Sequence, residues 1–478
     1  MFIAWLREKE QKLVDLWCRT ESTNFFFRLG YISWRIGRAI VLRSPTLSKL
    51  TAWLSEGKQK IVNLWRHTQG SNFFYRFGYV SWRIGRAIVL RLINLGRNIL
   101  IRYFFALVFP LNVFLSITRR KVKYPNSVLH ISYMVHIPYY TTRLLRRYGL
   151  KADYLAVGGQ SSWWRLYDYN FLYDPLQPWQ EFRFFWDVVA KYEVIHAHFG
   201  IFLSFTNSAR LGWELPFLKL LGRRIVVHYR GCEVRDPLKI VQMHPDINIC
   251  QDCDYNQSVC RDGKERVKQA KKYGDVFLVT TPDMKDFEPE AIQFPFFLPE
   301  IDGHKVEHQN RRKGDSIKIV HVTNHPGIEG TTAIQQAIDN LKAKGYPIEF
   351  VFLKGVTPER VLEEYRDADL SIGKMKMGYY ANAQVESMYM GIPTITYVRP
   401  EFMTPDLADS GFIFCRQDEL EETMEFYLNN PELLEEKRGK AQSSILRLHN
   451  SDRLVRELMS IYGFKNEIYE CFAQAQSR

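Results

Sequence analysis

Between residues 126 and 460 the chain keeps returning to one pattern, a short run of apolar residues followed by a turn and a longer stretch with helical spacing. The runs "SVLHISYM" (127–134), "EVIHAHFG" (193–200), "RIVVHYRG" (224–231) and "VFLVTTP" (276–282) form a first series. After the polar connection "EIDGHKVEHQNRRKGDS" (300–316) a second series starts with "IKIVHVT" (317–323). It continues through the helical "TTAIQQAIDNLKAKG" (331–345), then "IEFVFLKG" (348–355), the helical "TPERVLEEYRDA" (357–368) and "LSIG" (370–373). Strands that are apolar on both sides must be covered on both, and strands joined through helices run parallel. The pattern predicts an α/β protein with two Rossmann-like domains facing a cleft, where ligands bind at the carboxyl ends of the strands. The boundaries fall at 1–125, 126–300 and 301–478; at 478 residues and 46% hydrophobic content, one core is not expected to suffice.

The first 125 residues are of another kind. The net charge of +13 is concentrated there, with 22 Lys or Arg against 5 Asp or Glu, and the rest of the chain carries −4. "AWLREKEQKLVDLWCRTESTNFFFRLGYISWRIGRAIVLR" from residue 4 recurs from residue 52 as "AWLSEGKQKIVNLWRHTQGSNFFYRFGYVSWRIGRAIVLR". On a helix, Arg28, Arg35, Arg38 and Arg43 fall in one wedge, as do Arg76, Arg83, Arg86 and Arg91 in the second copy. Gly30, Ser33 and Gly37 line the opposite side, and the remaining positions are aromatic or aliphatic. This suits an α-helical segment associating with an anionic membrane lipid, guanidinium groups on the phosphates and rings beneath them. The uncharged run "YFFALVFPLNVFLSIT" (103–118), interrupted by Pro110 and followed by "RRKVK", is shorter than the roughly 20 residues of a spanning helix and reads as a monotopic or re-entrant anchor. A basic helical bundle for self-assembly, giving a homo-oligomer, is the other reading of the repeats. "MFIAWLREKE" has charges where a cleavable signal needs an apolar core, so the globular part is expected at the cytoplasmic face of the inner membrane. A nucleic-acid partner is not expected, since bulky apolar residues alternate with the basic ones.

Four cysteines lie close in sequence: Cys232, then Cys250, Cys253 and Cys260 in "CQDCDYNQSVC". A Cys-x2-Cys knuckle supplies two thiolates to one tetrahedral ion, and Cys232 and Cys260 can complete a structural zinc site, with His244 as reserve ligand. An iron-sulfur cluster and unligated thiols are the alternatives.

The stretch "GYYANAQVESMYMGIPTITY" (378–397) reads as a loop, a short helix stopped by Gly391 and Pro393, and a strand. "VESMYMGIPTI" resembles the Glu-x-Met-x-x-Gly-x-Pro-x-Ile signature of glycosyltransferase family 4, whose members have the GT-B fold and transfer sugars from nucleotide diphosphates. "HVTNHPGIEGTTAIQQAIDNL" stands where that family has its strand, Lys-Gly loop and helix, and "EEYRDADLSIG", "EVIHAHF" and "VVHYRGCEVR" resemble further elements. The resemblance covers residues 126 to 460. It leaves the repeats unexplained and implies a retaining transferase that uses a nucleotide-diphosphate sugar and no catalytic metal; the repeats would hold its cleft at the membrane, beside a lipid-linked or envelope glycan acceptor of polysaccharide biosynthesis.

Carried over residue by residue, the resemblance gives Glu386 the ribose hydroxyls and His198 the donor sugar. The amides of residues 381 to 385 would face the diphosphate at the positive end of a helix dipole. Two departures stand out: the family's first Glu is here Gly378, and its diphosphate-binding Lys is Glu329. The loop Gly378, Tyr379, Tyr380 and Ala381 resembles a subtype with a Gly-Trp-Tyr-Gly loop in place of the first Glu. Lys374 and Lys376, with Asn324 and His325, are candidate substitutes for the missing cation. Arg230 and Arg235 are candidates for an acceptor phosphate, and His196 is expected to point to the other face of its strand from His198, into the core. A catalytically silent GT-B-like scaffold organising a membrane assembly is the alternative that the two departures motivate.

Overall fold

The structure, a computed structural model, describes residues 95–133, 135–158, 166–174, 177–206, 211–295, 297 and 316–464. The arginines of both repeats, Arg28, Arg35, Arg38, Arg76, Arg83 and Arg86 among them, lie outside the described residues.

Seven strands form the first sheet: β1 (Tyr124–Ser132), β2 (Lys151–Val157), β3 (Tyr169–Phe171), β4 (Tyr192–His198), β5 (Arg224–Tyr229), β6 (Val276–Val279) and β7 (Ile292–Gln293). Their order is β3-β2-β1-β4-β5-β6-β7, and every pairing is parallel. The second sheet has β8 (Ile317–Val322), β9 (Ile348–Leu353), β10 (Leu370–Ile372), β11 (Thr394–Thr396) and β12 (Phe412–Phe414), ordered β12-β11-β10-β8-β9 and again all parallel. Two doubly wound sheets in tandem are the expected fold class. Each has a point where the strand order reverses, β1/β4 in the first and β8/β10 in the second, and the loops leaving those strands form the crevice in which such sheets hold ligands.

The apolar runs read as strands are buried for the anticipated reason: Val128, Leu129, Ile131, Val194, Ile195, Ala197, Ile225, Val226 and Val227 are all at or below 1% exposure, covered on both faces. The final helix, Ser451–Tyr462, departs from the domain boundary drawn at residue 301. Its Leu454, Val455, Leu458, Met459 and Tyr462 pack with Val128, Leu145, Val194, Val226 and Leu278, so the chain returns to the first sheet to complete that core.

Among the described residues, a second compact unit comprises 95–121, 173–174, 177–187, 206 and 211–222. Its helices Leu95–Leu107 and Phe109–Thr118 meet at a 41° bend, with Pro110 in the first turn of the second, where a missing N–H and a fixed φ are tolerated. Phe105 packs on Trp213 at 4.5 Å between centroids, Trp186 Nε1 donates to Asn112 at 2.9 Å, and Trp213 Nε1 donates to Glu181 at 2.7 Å. Among the described residues no single helix is long and apolar enough to cross a membrane, and the bent pair meets the length and composition requirement only together. The opposite side of the pair is apolar and open: Leu100, Tyr103, Leu107, Leu111, Phe114 and Ile117 follow each other every three or four residues, from 41% to 79% exposed.

Candidate active site

The helix Asn382–Tyr389 follows the loop after β10, at the reversal point of the second sheet. Gln384 fixes its start by accepting from the Ala381 N–H at 2.8 Å, while the N–H groups of Gln384 and Val385 donate to the Ala381 carbonyl. Three of the five helix-start amides expected to face a diphosphate are thus used within the turn. Glu386, one turn in, lines a cavity with Asn382 and Val385 from the same helix and His136, Ile137, Tyr140 and Phe297 from the first-sheet domain. Asn382 Nδ2 and His136 Nε2 are 3.4 Å apart across it. Burial pushes the Glu386 carboxyl up to about 7, with no nearby charge opposing the shift. His136 is pushed the other way, to about 4, by burial and by the charge of Arg230.

Gly378 is a glycine for backbone reasons. Its φ is +81°, and a Cβ there would lie 2.6 Å from Arg399 Cγ. Arg399 donates from its backbone N–H to the Gly378 carbonyl at 3.0 Å, and its guanidinium is ion-paired with Asp286. Tyr379 stacks on Tyr380 at 4.5 Å, but Tyr380 is buried with its hydroxyl 3.0 Å from His449 Nε2, a core position rather than an open one.

The cations proposed for the diphosphate are engaged elsewhere. Lys374 is ion-paired with Glu329, and Lys376, in the same loop, with Asp252 of the cysteine segment. The Asp254 carboxylate accepts from the N–H groups of Gly327 and Ile328 at 3.3 and 3.1 Å, and Tyr255 OH meets His325 Nε2 at 2.7 Å. Residues 252–255 therefore lie directly on the segment 325–328 that follows β8. Asn324 is turned away from them, accepting from the Gly355 N–H at 2.9 Å.

In the first sheet, His196 is buried in the core as expected, against the Tyr462 hydroxyl, but the expectation that it points to the other face from His198 is overturned. Residues two apart on a strand share a face, so His196 and His198 stack at 4.3 Å, and with His130 and His228 they form a buried row across β1, β4 and β5. His198 has no exposure and is covered by Arg230, whose Nε donates to its Nδ1 at 2.8 Å. Desolvation holds all four imidazoles below their ordinary range and neutral. Arg235 is buried against Asp283 at 2.7 Å, whereas Arg230 has no carboxylate partner among the described residues.

Cys232, Cys250, Cys253 and Cys260 border one cavity together with Tyr255 and Ile328. Among the described residues, the group of three or more metal-ligating side chains whose donor atoms lie within 4.8 Å of one another is His130, His196 and His198, not the cysteines. Burial pushes the Cys232, Cys250 and Cys260 thiols up. His244 does not border that cavity; it lies 2.6 Å from Arg399 and lines another cavity with Asp286 and Gly378.

His136 and Asn382 are the site residues that sequence reading missed. The signal for His136 was positional: it follows β1, the strand at the reversal point, in "YMVHIPYYTT".

No family model matches the chain, and no curated protein is similar to it in sequence. Solved structures of similar shape include HepE of Anabaena in complex with UDP-glucose, at 10% identity and a TM-score of 0.47 over 70% of this chain and 99% of that one. Sucrose-phosphate synthase of Thermosynechococcus elongatus is 15% identical, with a TM-score of 0.46 over 70% and 98%. A UDP-glucosyltransferase of Polygonum tinctorium is 11% identical, with a TM-score of 0.39 over 72% and 100%. At these values the strand order and connectivity of the chain itself, rather than the likeness, define its fold.

Proposed function

We propose that the chain is a glycosyltransferase that moves a sugar from a nucleotide diphosphate, with retention, to a lipid-linked or envelope glycan at the cytoplasmic face of a membrane. The observation that carries the reading is Glu386: a carboxyl without an ion-pair partner among the described residues, on the helix after the reversal point, opening into a cavity shared by both sheets. When ionised, its two oxygens can accept from both hydroxyls of a ribose, while His136 and Asn382 supply polar edges nearby. Transfer itself needs positive charge against the leaving diphosphate. Binding of UDP, GDP and ADP sugars to the full chain, with Glu386→Ala beside it, is the test.

A membrane-surface role is part of the proposal. It is supported by the exposed stripe from Leu100 to Ile117, with exposed Arg119, Arg120 and Lys121 at its end, the combination that seats a helix among anionic headgroups. A homo-oligomer through the repeats is a further part of the proposal, motivated by the duplicated sequence. Structural zinc at Cys232, Cys250, Cys253 and Cys260 is supported by their sharing one cavity; an ion would have to draw the four sulfurs together. The pairing of Lys374 and Lys376 with acidic residues favours a second reading, a silent GT-B-like scaffold, because it removes cations that a donor diphosphate would use.

A further inference from the structure

Arg230 stands at the carboxyl end of β5, and its guanidinium rests on imidazoles. Nε donates to His198 Nδ1 at 2.8 Å, Nη2 reaches His228 Nδ1 at 3.3 Å, and Nη1 is 3.5 Å from Thr280 Oγ1. Because a guanidinium only donates, both Nδ1 atoms must accept, and both protons sit on Nε2. The His198 proton then points to His130 Nδ1 at 2.9 Å, and the His228 proton to Thr280 Oγ1 at 3.1 Å. Protonating either ring would set one N–H against another, so the row works as a neutral cradle.

A neutral cradle adds no negative charge of its own, and Arg230 feels only the Glu233 carboxylate, which bonds elsewhere. Of the four buried arginines among the described residues, Arg235, Arg399 and Arg438 each have a carboxylate within ion-pair distance, Asp283, Asp286 and Asp369, while Arg223 donates to the Ala190 carbonyl. Arg230 has no such carboxylate among the described residues. The nearest acid, Glu233, spends its carboxylate on the backbone N–H groups of Arg230 and Gly231. The Arg230 charge is felt at His136, which lines the Glu386 cavity. A largely buried cation held by neutral acceptors, directly after β5 and close enough for its charge to act on His136, is arranged to receive an anion.

We propose that Arg230 is the phosphate-binding cation of this site, held in place by His198 and His228 as positioning residues, and that it supplies from the first sheet the charge that Lys374 and Lys376 do not. This rests on the proposed function only in naming the phosphate as part of a nucleotide donor; a phosphate-bearing acceptor has the same chemistry. No bond is made or broken by Arg230 or by the cradle.

The experiment is calorimetric titration of the full chain with UDP, uridine, inorganic pyrophosphate and a short-chain prenyl phosphate. Arg230→Gln is expected to weaken UDP and pyrophosphate at least about tenfold, to leave uridine unchanged, and to keep or raise the melting temperature, since it removes a largely buried charge without an ion-pair partner. His198→Ala should weaken the same ligands several-fold, and His198→Asn, whose side-chain oxygen can still accept from Nε, should restore them. A prenyl phosphate that depends on Arg230 while UDP does not would assign the cation to the acceptor. Binding of both anions unchanged by Arg230→Gln overturns the proposal, as does their absence in the wild type or a loss explained by a fallen melting temperature. Pyrophosphate that depends on Arg230, without any effect of Glu386→Ala on UDP, overturns the donor-site reading and leaves this one standing.

Discussion

Lys374 is ion-paired with Glu329, with side-chain exposures of 16% and 7%, so the acid that takes the place of the family's phosphate-binding lysine is neutralised by the lysine suggested as its substitute. The Lys374 carbonyl also accepts from the Tyr397 N–H and Thr396 Oγ1, which fixes the backbone of the pair. Removing one member leaves a poorly solvated charge. Glu329→Ala should cost about 3 kcal/mol in denaturant unfolding, and the double variant with Lys374→Ala should recover part of that loss. Simple additivity of the two substitutions would show that the pair is not coupled. Glu329→Gln also frees Lys374, so pyrophosphate affinity measured by calorimetry should rise; if it is unchanged, Lys374 does not reach the ligand.

Glu386 gives the site a pH dependence. Its carboxyl is raised to about 7 from an ordinary 4.5, so the folded state holds a proton that the unfolded chain releases between those values. Stability should therefore fall as pH rises through that window, and Glu386→Gln should melt higher than wild type at pH 8 but not at pH 4. The gain expected is of the order of 1–3 kcal/mol. Nucleotide affinity should move the opposite way, increasing from pH 6 to pH 8 as the ribose acceptor ionises, and Glu386→Gln should flatten that increase. A wild-type affinity independent of pH over this range would remove the carboxylate from the binding step.

Introducing an acid at position 378 should fail. With φ at +81° and Arg399 Cγ 2.6 Å from where a Cβ would sit, Gly378→Ala is expected to destabilise by about 2 kcal/mol, and Gly378→Glu by at least as much. Melting temperatures of the two variants measure this; no loss in either would mean that the loop has room to adjust.

The exposed stripe predicts a charge-dependent membrane affinity. Flotation of the full chain with vesicles of mixed anionic and zwitterionic lipid should recover the protein, and Leu107→Asp with Phe114→Asp should reduce recovery several-fold, because Leu107 is 79% and Phe114 61% exposed. Equal recovery on purely zwitterionic vesicles would discount Arg119, Arg120 and Lys121.

The parallel sheets were legible because their strands are buried on both faces and therefore apolar throughout, as "RIVVHYRG" and "IKIVHVT" show. β2 was not read from "KADYLAV", where a surface lysine and a buried aspartate interrupt the run; Asp153 is held by Lys151 and Arg146 instead of being excluded from the sheet. The final helix looks amphipathic in any frame, and nothing local says that its apolar face belongs to the first core. Glu386 could be placed because its helix has a start, a stop and a spacing. The commitments of Lys374, Lys376 and Arg235 could not, since their partners Glu329, Asp252 and Asp283 lie between 45 and 124 residues away. Only the assembled fold brings them together.

Titration of the full chain with nucleoside diphosphates and their sugars, wild type against Glu386→Ala, bears most directly on the central claim. The reading proposed here expects one base to bind at micromolar to low millimolar concentration and the variant to lose at least about tenfold, the scale of two hydrogen bonds to an ionised acceptor. Millimolar nucleotide that leaves both proteins unbound, or binds both equally, would contradict it and favour the silent scaffold.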